Sequence, residues 1–160
     1  MKKLLIILAL AIGFTSVASA QSRAVGSRLG YGVELSYQHY LAPDIFLEAD
    51  LGLDLIGKGG FKATAIYDWE LAHPDWTDQG EWTVYAGPGA ALGVVSNGSG
   101  KDTGFFLGIC GQLGVEYTFT FPLAISLDIR PQLGYHFGDG VAYTGGLFGF
   151  IPTLGVRYRF

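Results

Sequence analysis

Cysteine occurs once in the 160 residues, at position 110, so a disulfide framework and any cysteine-rich metal site are excluded. Charge is sparse, at 15 % of the chain against the usual quarter or so. Basic residues are the scarcer sign: without Lys2 and Lys3, the ten Lys and Arg become eight against fourteen Asp and Glu, a net of −6. That balance argues against a nucleic-acid partner. Long hydrophobic runs are missing too. Beyond residue 20 no apolar stretch reaches the length of about 18 residues that a membrane-spanning helix needs. Disorder is excluded by a hydrophobic fraction of 49 %, a mean hydropathy of +0.33 and 14 % aromatic residues. What the chain has in abundance is glycine, 25 residues, together with those aromatics.

The N-terminus reads as an export signal. Met1-Lys2-Lys3 is a short positive segment, Leu4 to Phe14 form an apolar run, and Ala18-Ser19-Ala20 places small residues where a signal peptidase cuts. Residues 1–20 are therefore expected to be a cleaved signal peptide, and residues 21–160 the single mature domain. The apolar run is too short to cross about 30 Å of hydrocarbon as an anchor. With Cys110 the only cysteine, no lipidated cysteine follows the leader.

The mature chain alternates with a period of two. Residues 46–55 set Leu47, Ala49, Leu51, Leu53 and Leu55 against Glu48, Asp50, Gly52 and Asp54. Residues 125–135 set Ile125, Leu127, Ile129, Leu133 and Tyr135 against Ser126, Asp128, Arg130 and Gln132. In residues 105–119, Phe105, Leu107, Ile109, Leu113, Val115, Tyr117 and Phe119 oppose Gly108, Cys110, Gln112, Gly114 and Glu116. A helix would scatter these carboxylates around its circumference, so strands are the economical reading. Further strands are predicted at about 33–41, 61–71, 82–95 and 148–160, separated by turn signals such as Ala42-Pro43-Asp44, Phe121-Pro122 and Gly138-Asp139-Gly140. Closure into an antiparallel barrel needs an even number. Residues 23–30 supply the eighth strand, whereas 141–147 look too short for one. Pro88, Pro131 and Pro152 fall within strands and remove ladder donors, which predicts bulges or breaks there.

Glycine decides which face is wet. Gly52, Gly87, Gly89, Gly93, Gly108, Gly114, Gly134, Gly149 and Gly155 lie in phase with the charged residues, and only Gly111 lies on the apolar face. The inside of an eight-stranded barrel barely holds its side chains, so the face carrying the small residues is the crowded inner one. The apolar face then turns outward to lipid, and closure leaves no unpaired edge in hydrocarbon. Aromatics sort toward the two strand ends. Tyr37, Tyr40, Phe46, Trp69, Trp82, Tyr117, Phe119, Phe121, Tyr158 and Phe160 gather at one, and Phe61, Phe105, Phe106, Tyr135, Phe137 and Phe148 at the other. Two such bands are the girdles of a membrane barrel.

The fold expected is thus all-β, an eight-stranded antiparallel up-and-down transmembrane β-barrel. On these residues the chain resembles the small eight-stranded outer-membrane β-barrel proteins of Gram-negative envelopes, the OmpX- and OmpA-barrel-like group, over about residues 23–160. Leu113-Gly114-Val115-Glu116-Tyr117 looks like a strand of that family. The closing strand carries the most specific likeness, with Val156, Tyr158 and Phe160 alternating outward and Phe160 last. The resemblance implies that these three residues act as the signal read by the barrel-assembly machinery. It also implies that outer-membrane lipid, the secretion machinery and the assembly machinery are the partners, and that the protein is a monomer. Short turns would face the periplasm and the loops at 30–32, 56–60, 96–104 and 137–147 the outside, although 72–81 is long for a periplasmic turn.

Arg28, Glu34, Glu48, Asp50, Lys62, Glu116, Asp128, Arg130 and Arg157 are expected to form an interior polar network, with Asp54, Asp68, Glu70 and Arg159 on the same face. Charges away from water must be paired, and an eight-stranded lumen is too narrow for a continuous channel. A narrow pore is the alternative function. A lipid-modifying barrel enzyme is another, and would need an outward Ser and His with a carboxylate at the rim. His136 and Asp139 are near that rim, with Ser96 and Ser99 in another loop, but no strand carries a His-x-Ser pair. His39, His73 and His136 show no ligand spacing, so no metal site is expected, and no cofactor or catalytic set is evident. The glycine-rich segment around Asn97-Gly98-Ser99 precedes no helix and reads as a surface loop rather than a phosphate cradle. Cys110 reads as a buried free thiol. Function at this stage is an integral outer-membrane barrel with a structural or surface-interaction role.

Overall fold

The computed structural model describes residues 23–30, 32–54, 60–96, 103–137, 140–144 and 151–160. The expected signal peptide, the loop tips at 55–59 and 97–102, Asp139, Phe148 and Gly149, and the side chain of Asp54, lie outside the described residues. Ten strand segments follow one another: β1 Arg23–Leu29, β2 Gly32–Ala42, β3 Ile45–Asp54, β4 Gly60–Ala72, β5 Glu81–Ser96, β6 Thr103–Thr118, β7 Leu123–Ile129, β8 Gln132–His136, β9 Gly140–Thr144 and β10 Thr153–Arg159.

These ten segments make eight staves. β1 to β6 pair antiparallel in sequence order, β6 pairs with β7, β7 with β10, and β10 with β1, which closes the ring. β7 and β8 are one stave, because Leu113↔Ile129 and Cys110↔Gln132 on β6 keep a single register across the gap between them. The gap is Arg130-Pro131. Pro131 accepts a hydrogen bond from the Gly111 N–H at 3.0 Å but has no N–H to return. Pro88 acts differently. Its pairing with Gly111 on β6 is kept, while toward β4 the ladder skips from Ile66↔Gly89 to Trp69↔Ala86 without a shift of register. Pro152 lies just ahead of β10. True register shifts occur at Tyr40/Ala42 and Glu70/Ala72, where no proline stands.

One expectation changes. The stretch 141–147 is expected to be too short for a strand, yet Gly140–Thr144 form β9 and pair with β8 from Gln132↔Thr144 to His136↔Gly140. A five-residue segment is weak alone, but a neighbour already held by β6 supplies the ladder it pairs to. The last stave therefore contains both β9 and β10, and the expected strand start at 148 lies outside the described residues.

The wall is inside out relative to a soluble barrel. Leu51 and Leu113 are each 50 % exposed, whereas Asp50 and Asp128 are exposed by 1 % and 2 %. The inner-face glycines are necessary rather than incidental. A Cβ on Gly87 would fall on the backbone of Tyr67 and Asp68, and one on Gly114 would lie 2.5 Å from the Tyr85 ring, while one on outward Gly111 would meet nothing within 4 Å. The pairing runs unbroken from β1 through β6 and β7 to β10 and back to β1. A closed ring of this kind leaves no open edge to meet hydrocarbon. Among the described residues, β9 is paired to β8 alone.

Candidate functional site: the barrel lumen

Three arginines enter the lumen from three places: Arg28 from β1, Arg130 from the β7–β8 joint and Arg157 from β10. Each follows from strand phase, since each lies on the glycine-bearing face. Glu48 on β3 is the hub. Its Oε1 accepts from Arg130 Nη2 at 2.6 Å and lies 3.5 Å from Arg28 Nε, and its Oε2 accepts from Arg157 Nη2 at 2.8 Å and from Gln38 Nε2 at 2.9 Å. Asp50 Oδ2 bridges Arg130 Nη1 at 2.6 Å and Arg28 Nη1 at 3.5 Å.

Further hydrogen bonds knit the cluster together, although Arg28 Nε and Gln112 Nε2 have no hydrogen-bond partner among the described residues. Arg28 binds Glu34 at 2.5 Å and Asp128. Arg130 donates from Nε and Nη2 to Gln112 Oε1, at 3.0 and 2.6 Å. Arg157 donates to Ser36 Oγ at 3.1 Å, Ser126 Oγ at 2.8 Å and Glu116 Oε2 at 3.2 Å. Lys62 sits 3.5 Å from Glu34 Oε1, at the more accessible edge. The structure thus brings all nine of the network residues read from the sequence into one connected cluster. Planar guanidinium forks suit this role because each can address several carboxylate oxygens at fixed angles. The bonds join residues far apart in the chain, such as Arg157 to Glu48 and Arg28 to Asp128, so the cluster ties the first, third, seventh and last staves together across the lumen.

Toward the end of the barrel that holds residues 23 and 160, here the near end, a second layer closes the space. Phe46 is buried there, with its ring 5.3 Å from Tyr40 and 5.4 Å from Tyr85. Tyr40 donates to Glu70 Oε1 at 2.7 Å and lies under the Arg159 guanidinium, 5.2 Å away. Toward the far end, Phe106, Ile66 and Cys110 are buried. Tyr40, Phe46 and Phe106 were expected in the outer girdles, and this is corrected: all three point inward. They are in phase with Glu48 and Gln112, and strand phase outranks distance from the turn in deciding where an aromatic goes. The other described aromatics expected in the girdles lie on the outer face. Trp76, Trp82, Tyr117, Phe119 and Phe121 form a continuous chain of ring contacts at the near end, and Phe105, Phe137 and Tyr135 another at the far end.

Asp68 differs from the paired acids of the lumen. It is fully buried, and neither carboxylate oxygen has a hydrogen-bond partner among the described residues. Nothing in its sequence context separates it from the paired acids. His136 is buried and faces inward, away from the lipid side where an acyl chain would lie. Val156 and Tyr158 are exposed on β10, and Tyr158 stacks on Phe160. Phe160 exchanges backbone hydrogen bonds with Arg23, which extends the β1–β10 seam to its end.

No protein-family model matches the sequence. No curated protein sequence matches it either. Among solved structures, the chain is similar to the N-terminal β-barrel domain of OprF from Pseudomonas aeruginosa, with a TM-score of 0.60 at 15 % identity, over 86 % of this chain and 95 % of that one. The chain therefore shares the fold of that domain, a closed eight-stranded antiparallel β-barrel.

Proposed function

We propose that this chain is an integral outer-membrane protein whose barrel is a sealed scaffold, with a structural or surface-interaction role and no catalysis. One observation carries the reading. The side chains of Arg28, Arg130 and Arg157 are exposed by 1 %, 5 % and 0 %, and their carboxylate partners interlock across the whole lumen. A conducting pore needs a water column along its axis; here the axis is occupied by bonded side chains and capped by Phe46 and Tyr85 at one level and Phe106 at another.

In this reading the N-terminal segment directs export and is removed. Val156, Tyr158 and Phe160 present the outward face that the assembly machinery engages, lipid covers the apolar wall, and the barrel works as a monomer. The near end faces the periplasm. Planar bilayers test the sealed lumen: the refolded protein is expected to be electrically silent, and stepwise conductance would overturn the proposal in favour of a narrow pore. Membrane fractionation with heat-modifiable gel migration tests the location, with the folded band expected in the outer-membrane fraction.

A further inference from the structure

The turn between β4 and β5 is longer than closure of a hairpin requires, and it is held in place. Trp82 Nε1 donates to Thr77 Oγ1 at 3.0 Å, Tyr117 OH donates to the Gln79 carbonyl at 2.8 Å, and Trp76 packs edge-on against Trp82. At its start stands His73, which reaches back over the near end of the barrel. Its Nδ1 lies 3.2 Å from Glu81 Oε1 and its Nε2 lies 3.3 Å from Glu70 Oε2. From the β2–β3 turn comes Asp44, and the ligand atoms of Asp44, Glu70 and His73 all fall within 4.8 Å of one another. The Glu70 N–H donates to the Asp44 carbonyl at 2.8 Å, which couples the two turns through the backbone.

Charge at this spot is unbalanced. The side chain of Glu70 is only 7 % exposed, and among the described residues no Lys or Arg stands at ion-pair distance from Glu70, Asp44 or Glu81. A neutral imidazole carries one proton. If Glu81 takes it through Nδ1–H, the Nε2 lone pair points at the Glu70 carboxylate, an arrangement that repels unless a cation lies between them. The same geometry is that of a metal-ligating histidine, whose second nitrogen donates to an outer carboxylate that fixes tautomer and ring orientation. Tyr40 OH does the equivalent for Glu70, binding Oε1 at 2.7 Å and leaving Oε2 free to ligate.

We propose that Asp44, Glu70 and His73 form a site for a first-row divalent transition-metal ion, zinc-like in preference, that pins the β2–β3 turn to the β4–β5 turn. His73 Nε2, Glu70 Oε2 and an Asp44 oxygen are the ligands, Glu81 is the outer partner of His73, and water completes the shell. One nitrogen with carboxylate oxygens suits such an ion better than calcium, which takes oxygen ligands alone. Ligand bonds of about 2.0–2.2 Å require donor separations below about 4.4 Å, and exposed Asp44 reaches that by rotation of its side chain. The ligands come from two turns distant in sequence, which is why no His-x-x-x-His spacing announces them.

The experiment is a zinc titration by calorimetry on the protein refolded in detergent micelles and stripped with EDTA. One ion per barrel is expected. His73→Ala and Asp44→Asn should each weaken binding about tenfold or more, Glu81→Gln about tenfold, and His39→Ala not at all. Both turn residues are surface-exposed, and heat-modifiable migration verifies that the variants fold. Absence of zinc binding to the wild-type protein would overturn the site. Equal binding by His73→Ala, or displacement of zinc by equimolar calcium, would overturn it as well.

Discussion

Replacing Arg130 by methionine keeps an apolar stem of similar reach and removes the guanidinium. Four hydrogen bonds go with it: two to Gln112 Oε1, at 3.0 and 2.6 Å, and one each to Asp50 and Glu48, both at 2.6 Å. Breaking a buried ion pair by deleting one partner costs about 3–5 kcal/mol, because the other charge stays desolvated. Glu48 retains Arg157 and Asp50 retains Arg28, which places the expected loss near the lower figure, about 3 kcal/mol. The double variant Arg130→Met/Asp50→Asn removes the stranded carboxylate too, and should recover about 1–3 kcal/mol as coupling. The assay is denaturant unfolding in detergent or lipid vesicles, followed by the fluorescence of Trp69, Trp76 and Trp82, with both midpoint and slope recorded. A loss within about 0.5 kcal/mol for Arg130→Met, or no recovery in the double variant, would refute the view that the cluster holds the staves together.

Other outcomes follow from the same geometry. Gly87→Ala drives a methyl into the backbone of Tyr67 and Asp68 and should destabilise by about 1–3 kcal/mol or more, while Gly111→Ala should stay within about 0.5 kcal/mol, both read from unfolding midpoints. Asp68→Asn replaces a buried carboxyl group that has no partner among the described residues, so stability should be unchanged or raised, and a clear loss would mean that a bound group satisfies it. Phe160→Ala should lower the folded fraction in cells several-fold at unchanged expression if the closing strand carries the assembly signal, with heat-modifiable gel migration as the readout.

Much of this fold is legible in the sequence because a period of two makes each strand declare its faces. The choice between inward and outward came from Gly87, Gly89, Gly108 and Gly114 lying in phase with Glu116 and Asp128, and the same positions are those where a Cβ meets neighbouring chain. Membership of the lumen cluster was readable for the same reason, down to Arg28 on the weakest strand. Partnership was not. That Glu48 meets three arginines depends on staves brought face to face only by closure, and no local pattern encodes it. Phe46 and Phe106 show a conflict between two sequence cues, nearness to a turn and strand phase. β9 was missed because five residues with little apolar patterning become a strand only beside β8. The Asp44–Glu70–His73 group was hidden by distance along the chain.

The measurement that bears most directly on the orientation of the wall uses single nitroxide labels on the protein in lipid vesicles. Labels at Leu51, Leu113 and Leu127, all outward on the wall, should collide freely with oxygen dissolved in the acyl chains and hardly at all with a water-soluble nickel chelate. The reverse pattern at those three positions, chelate access without oxygen access, would mean that the leucine face does not lie against lipid and would contradict the membrane barrel outright.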